Sequence, residues 1–359
     1  MIRFLLHRLF YGILVMFGVV TVVFLLFNVL PGDPARMMLG QRADISSVEA
    51  INRDLGRDKP LLTQYLNFLN DLSPLSLHHS RDSASYWYFD RSKYGSHFPV
   101  LRMQDKVLVL KEPYLRRSYQ SKREVAEIIR TAFPATALLA VVSMLFAGLL
   151  GIVMGIVAAL KRNSFWDRLI IVLSVGGMSL PSFFAAILIA WLFAWVLGDL
   201  TGLNMVGSMF EVDDFGRGES LSLQNLILPA LTLGIRPLAV IAELSRSAML
   251  DVMSQDYIRT ARAKGLSQWQ TITRHALRNV MNPVVTAVSG WFASLMAGAV
   301  FVEYVFDWKG LGVVMVEALE KYDFPVVMGL VLFVSLLLVV INILVDLVYA
   351  WLDPRIRLV

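Results

Sequence analysis

Five long stretches of this 359-residue chain contain no Asp, Glu, Lys or Arg: Leu9 to Leu30, Phe133 to Leu160, Leu169 to Gly198, Pro283 to Val302 and Phe324 to Val345. A helix needs about twenty apolar residues to cross a hydrocarbon core, and each stretch supplies them. A sixth, Leu221 to Leu250, is apolar but interrupted by Arg236, Glu243 and Arg246. Backbone polar groups in lipid must be satisfied within the segment. The six stretches are therefore read as transmembrane helices of an all-α polytopic membrane protein. Composition agrees, since 57% of residues are hydrophobic and 17% charged, with a mean hydropathy of +0.62, too apolar for an ordinary soluble domain. Arg3 and Arg8 before the first stretch suit a secretory signal. The stretch is too long for one and lacks a small-x-small cleavage site before Asn28-Val29-Leu30-Pro31, so it is read as a retained first helix.

Positive charge sorts the short loops. One side would carry Arg3 and Arg8, then Lys161, Arg162 and Arg168, then Arg259, Arg262, Lys264, Arg274 and Arg278, and finally Arg355 and Arg357. The alternate loop from Asp199 to Gln224 carries Glu211, Asp213, Asp214 and Glu219 against Arg217 alone. This is the positive-inside pattern with both termini in the cytoplasm, and it explains the net charge of +5 without nucleic acid. Three segments follow: 1–30, the N-terminus and first helix; 31–132, a large outer loop between helices 1 and 2; and 133–359, a five-helix core with a cytoplasmic loop at 251–282. The outer loop opens with the turn Pro31-Gly32-Asp33-Pro34. It is expected to hold short helices at Ser47–Leu55 and Leu61–Leu72, a strand at Lys106–Lys111, and an irregular stretch from His78 to Lys122. Gly176, Gly177 and Pro181 predict a kink or break in the third helix near Pro181.

No chemistry-bearing constellation of an enzyme is present. The chain has no cysteine, which excludes disulfides and thiolate sites. It has no GxxxxGK[ST] phosphate loop and so cannot itself bind ATP as an ATPase of that type, and it lacks HExxH and GxSxG. His78, His79 and His97 lack metal-ligand spacing, so no metal site is assigned.

The informative polar segment runs from Asp256 to Pro283. It reads as two short helices joined at a glycine. Ser254 and Asp256 can cap and charge-complement the first, and Gly265 can end it in a left-handed conformation. Ser267 can cap the second, in which Trp269, Ile272, Ala276 and Val280 share a face, and Pro283 opens the next span. Ala261, Ala263 and Gly265 offer a partner little bulk, while Arg259, Arg262 and Lys264 can fix its register. A docking helix and an amphipathic helix on the membrane surface both fit this pattern.

Tyr257-Ile258-Arg259-Thr260-Ala261-Arg262-Ala263-Lys264-Gly265-Leu266 and His275-Ala276-Leu277-Arg278-Asn279 resemble the cytoplasmic coupling loop of ABC-importer permeases, in the version of the dipeptide and oligopeptide branch. Arg259-Thr260 stands where the general loop has Glu-Ala, a departure that branch shares. Further stretches resemble the same family: Leu30 to Pro34, Leu55 to Pro60 with Gln64-Tyr65, Ser179 to Phe183, Ser245 to Leu250, Glu303 to Phe306 with Gly310-Leu311-Gly312, and Asp353-Pro354-Arg355 after Asp346. The resemblance covers nearly the whole chain, with His78 to Lys122 resembling an insertion.

It implies a type I ABC-importer permease fold in the bacterial inner membrane, forming half of a translocation path. Asp256, Tyr257, Arg259, Thr260, Ala261, Arg262, Ala263, Lys264, Gly265 and Leu266 would form the coupling site. Its implied partners are separate ATPase subunits that hold ATP and Mg, a second similar permease, an extracytoplasmic binding protein and membrane lipid. It leaves dipeptides, longer peptides, peptide-like metabolites and nickel chelates open as cargo. The rivals are a self-sufficient secondary transporter or channel, for which no inverted repeat is visible, and a membrane-anchored enzyme with its site in residues 31–132. Within the fourth span, Arg236, Glu243 and Arg246 lie near one helical face. They either line the translocation path, Arg236 meeting a peptide carboxylate, or form an internal salt bridge. Asp346 reads as a packing or interfacial residue.

Overall fold

Charge-free sequence becomes helix nearly throughout. The computed structural model describes residues 2–29, 59–79, 87–89, 94, 97–103, 105–212, 219–297 and 299–352. The expected turn at Pro31–Pro34, the helix at Ser47–Leu55, the loop charges Asp213, Asp214 and Arg217, and the motif after Asp346 lie outside them. Among the described residues four helices are long and apolar enough to cross a membrane, and two bent pairs bring the number to six if each pair is one span. The four are α1 (Ile2–Val29), α3 (Val125–Leu160), α7 (Gln224–Met253) and α13 (Phe324–Leu352).

The bent pairs depart from straight rods. The third apolar run forms α4 (Phe165–Ser179) and α5 (Ser182–Ile189), which continues as a π-helical turn Ala190–Val196, with a bend of 113° between the two arms. Pro181 marks the break: it lacks an N–H, and Leu180 before it is extended at ψ 129, as a residue before proline prefers. A short α6 (Gly198–Thr201) and a small hairpin of β4 (Phe210–Val212) and β5 (Glu219–Leu221) follow. The fifth run starts earlier than expected. Pro283 does not open it but lies inside α10 (Leu277–Ala297), which meets α11 (Val300–Phe306) at a bend of 58°. A short α12 (Leu311–Glu320) precedes α13.

The chain divides into two compact units. One comprises residues 10–131 and 317–335. Its apolar core is Val23, Phe24, Phe68, Met328 and Leu332, with Phe68 carried on α2 (Leu61–Leu72). Among the described residues, the stretch expected to be irregular contributes to an antiparallel sheet in the order β1-β3-β2, in which the expected strand β3 (Lys106–Lys111) lies between β1 (Leu75–His79) and β2 (His97–Met103). His78 is buried in β1, bonded to Ser76 and packed on Phe89 and Tyr94. Asp71 accepts from the Tyr94 hydroxyl at 2.7 Å, and Asp323 accepts from the Ser118 hydroxyl and the Tyr119 N–H.

The other unit comprises residues 1–9, 132–316 and 336–359. Its larger core runs from Ala140, Met144 and Ala147 of α3 through Ile241 and Met249 of α7 to Ile272, Ala276, Val280 and Val284. Glycines let α3 approach α7 closely. A Cβ at Gly151 would lie 2.9 Å from the Leu238 carbonyl oxygen, and one at Gly155 2.4 Å from that of Ala242. Small residues four apart are the usual means of bringing two membrane helices into backbone contact. Arg8 and Asp346 form an ion pair at 3.0 Å.

Candidate functional site

The polar loop between α7 and α10 is built from local chemistry. α7 ends at Met253, and the Ser254 hydroxyl donates to the Asp251 carbonyl. Ser254 therefore closes the preceding helix instead of capping the next. The extended Gln255 takes the cap position of α8 (Asp256–Ala263) and makes no side-chain cap bond. Asp256 stands in the first turn of α8, where the helix dipole favours an anion, and Arg262 in the last, where it favours a cation. Gly265 has φ +81, and a Cβ there would meet nothing within 4 Å, so within this chain the glycine serves the left-handed backbone. Ser267 and Gln270 then form a full capping box for the short helix α9 (Gln268–Gln270).

Two side chains seat α8. Ile258 and Ala261 are buried, Ile258 in the same core as Met249, Ile272 and Ala276. Ala261 thus faces inward and is not part of the low-bulk outer surface the sequence suggested. Tyr257, Arg259, Thr260, Arg262, Ala263, Lys264 and Gly265 are exposed, and Leu266 is half-buried. The Arg259–Asp256 pair at 3.5 Å is fully in solvent and contributes little. The Tyr257 hydroxyl accepts from Asn279 at 2.6 Å, tying α8 to α10. Trp269 does not share the buried face of Ile272, Ala276 and Val280; it is 73% exposed. A π-helical turn at Thr271–Ala276 lies between it and Val280, and a wider turn breaks the 3.6-residue phase on which the expectation rested.

Of Arg236, Glu243 and Arg246 on α7, only Arg246 forms an ion pair among the described residues. The Arg246 guanidinium holds Asp167 through two bonds, Nε at 2.6 Å and Nη2 at 3.0 Å. Asp167 also accepts from the Asn163 N–H, and Ser164 caps α4 through the Asp167 N–H. Arg246 thereby clamps the start of α4 to the end of α7, leading into the loop that carries α8. Arg236 and Glu243 are exposed. Arg236 lines a cleft of about 250 Å³ with Ser182, Thr232, Trp291 and Ser294.

A third cluster is fully buried. Glu303 of α11 accepts from the Thr136 hydroxyl at 2.7 Å and the Gly312 N–H at 2.6 Å. The Thr136 oxygen in turn accepts from the Leu311 N–H, and the Trp308 indole donates to the Ala135 carbonyl. The carboxylate satisfies the first turn of α12 and ties it to α3 and α11. Glycine is required on both sides of Leu311, since a Cβ at Gly310 would sit 2.4 Å from Thr136 Oγ1 and one at Gly312 2.6 Å from the Val300 Cα.

Residues 151–358 match the family model described as binding-protein-dependent transport system inner membrane component, and residues 1–85 match that of its N-terminal region. The chain belongs to this family. It is 35% identical to the di/tripeptide transport system permease protein DppB of Pseudomonas aeruginosa, with 99% of each chain covered. It is also 35% identical to the probable D,D-dipeptide transport system permease protein DdpB of Escherichia coli, over 96% of this chain and 94% of that one. The glutathione transport system permease protein GsiC of Escherichia coli matches at 35% over 99% of each. Among solved structures, the MetNI methionine ABC transporter in an inward-facing conformation aligns with a TM-score of 0.52 at 15% identity, over 64% of this chain and 97% of that one. That likeness supports the type I permease fold.

Two residues of this permease escaped the sequence reading. Asp167 follows a basic turn and looks like a surface charge, and its partner is 79 residues away. Glu303 was visible only as part of a motif. Breaking the clamp is a direct test of its role. Asp167→Asn is expected to destabilise the permease by about 2 kcal/mol, below the ~3–5 of a fully buried pair because Arg246 keeps some contact with solvent. Adding Arg246→Gln should restore part of that loss. A thermal melt in detergent of both single variants and the double variant measures the coupling, and additive losses would rule the clamp out.

Proposed function

We propose that this permease is the membrane-spanning subunit of an ATP-driven importer for peptides, working with separate ATPase subunits, a second similar permease and an extracytoplasmic binding protein. ATP and Mg bind the ATPase partners. Residues 251–282 form the cytoplasmic coupling loop, both termini are cytoplasmic, and residues 31–132 face outward. Lys161, Arg162, Arg168, Arg259, Arg262 and Lys264 on one side support this orientation. The observation that carries the reading is the build of α8. Its outer face is exposed and cationic, while Ile258 seats it on the core that joins α7 to α10. A push on α8 therefore reaches two membrane helices as a unit. Closure of the ATPases would move these helices as a packed body and switch access between the two faces.

The test is co-purification of the ATPase subunits with the tagged permease. Gly265→Val is expected to detach them or to abolish ATP-dependent peptide uptake while the permease still folds. A β-branched residue at φ +81 is strained by more than the roughly 1–2 kcal/mol cost of a left-handed residue, without any steric clash. Peptide uptake by the permease reconstituted alone would sink the proposal in favour of a self-sufficient transporter.

A further inference from the structure

Arg236 and Arg246 lie on the same apolar helix and meet different fates. Arg246 is paired with Asp167. Arg236 makes no ion pair or hydrogen bond among the described residues. A guanidinium at membrane depth is costly unless water or an anion meets it. The cleft it lines contains no Asp or Glu; of its polar members Ser182, Trp291 and Ser294 carry hydrogen-bond donors, whereas the Thr232 hydroxyl donates to the Leu228 carbonyl of its own helix. Leu295, Val300 and Phe301 supply apolar wall. Ser182 opens α5 beyond the break at Pro181, and that helix start has no side-chain cap, which leaves its first amides to another acceptor. Interrupted membrane helices use such starts to receive anionic groups of a substrate.

We infer that this cleft is a carboxylate-binding subsite on the transport route, with Arg236 as the cation that receives the C-terminal carboxylate of a peptide. The inference rests on the peptide-importer reading above for the identity of the cargo. The guanidinium fork matches a carboxylate through two parallel bonds, and lysine cannot reproduce that geometry. At about 250 Å³ the cleft takes one end of a peptide and leaves the rest in the path.

The experiment uses the complete transporter in lipid nanodiscs and the arginine reagent phenylglyoxal, with modification of Arg236 followed by mass spectrometry. Dialanine and acetate are expected to slow its modification about tenfold at saturation, and dialanine amide to leave it unchanged, as for one charge-assisted contact. Absence of protection by either carboxylate overturns the subsite. Resistance of Arg236 in the ligand-free complex overturns it too, because another subunit would then already hold the guanidinium. In proteoliposomes with the binding protein, Arg236→Gln should lower uptake of a dipeptide pool about tenfold while complex assembly is retained, with Arg236→Lys in between. Uptake within twofold of wild type for Arg236→Gln counts against the subsite. Protection by acetate in a wild-type transporter that imports no peptide would keep the subsite and remove the peptide reading.

Discussion

Gly155→Leu is expected to abolish accumulation of folded permease, whereas Gly148→Leu on the same helix should leave it near wild type. A Cβ at Gly148 would meet nothing within 4 Å, while a Cβ at Gly155 would stand 2.4 Å from the Ala242 carbonyl oxygen, 2.5 Å from the Ser245 Cβ and 2.9 Å from the Arg246 amide nitrogen. These are backbone atoms and a Cβ, which no rotamer change can move aside. Replacing glycine by leucine should raise helix propensity by up to ~1 kcal/mol, so propensity alone predicts the opposite sign. Packing decides the outcome, because overfilling a close contact costs ~1–3 kcal/mol and more when backbones must separate. Separation of α3 from α7 would also carry Arg246 away from Asp167, adding the loss of the clamp. Fluorescence-detected size-exclusion of tagged variants reads the result. Equal monodisperse yields for Gly155→Leu and Gly148→Leu would show that α3 and α7 are not in backbone contact. Gly151→Ala is graded between them, with its nearest atom at 2.9 Å.

The legible parts of this protein are those whose cause is local. Charge-free runs place the membrane helices, since length and apolarity alone decide whether a segment can span. Gly265 and Ser267 announce the end of one helix and the start of the next, because caps are set by residues within a turn. Leu61–Leu72 and Lys106–Lys111 were readable for the same reason, one from its helical period and the other from its β-branched and aliphatic alternation. The partners of Lys106–Lys111 were not. β2 contains Pro99 and shifts register between Pro99 and Leu101, and β1 is five residues long, so neither stands out by pattern. Trp269 was misplaced because a π-helical turn changes the phase of a face without any residue that marks it. The bend at Pro181 was expected, but its size of 113° depends on packing that a lone proline does not encode. Asp167 and Glu303 are decided by partners far along the chain, and an acidic residue gives no local sign of which cation or helix start it will meet.

Glu303→Ala is expected to cost this permease about 3–5 kcal/mol, enough to unfold a large fraction of it in detergent at moderate temperature. The alanine removes both acceptor oxygens from a site with no access to water. The Thr136 hydroxyl and the Gly312 N–H then lose their partner, and the start of α12 loses its compensating charge. Glu303→Gln separates shape from charge. Its volume is conserved and one oxygen remains to accept from the Gly312 N–H. The amide nitrogen can then turn toward the Thr136 oxygen, which already accepts from Leu311 and has a second lone pair. The glutamine variant should therefore lose only about 1–2 kcal/mol, the difference between a charged and a neutral acceptor. Melting of the two variants against wild type distinguishes the cases. A glutamine variant as unstable as the alanine variant would mean that the negative charge at the helix start dominates. An alanine variant as stable as wild type would mean that the knot joining α3, α11 and α12 does not hold this end of the bundle together. The glycines bear on the same question, since Gly310→Ala intrudes on Thr136 and Glu303 while leaving both side chains present. A loss comparable to Glu303→Ala would show that the geometry of the knot, and not only its carboxylate, is what the packing requires.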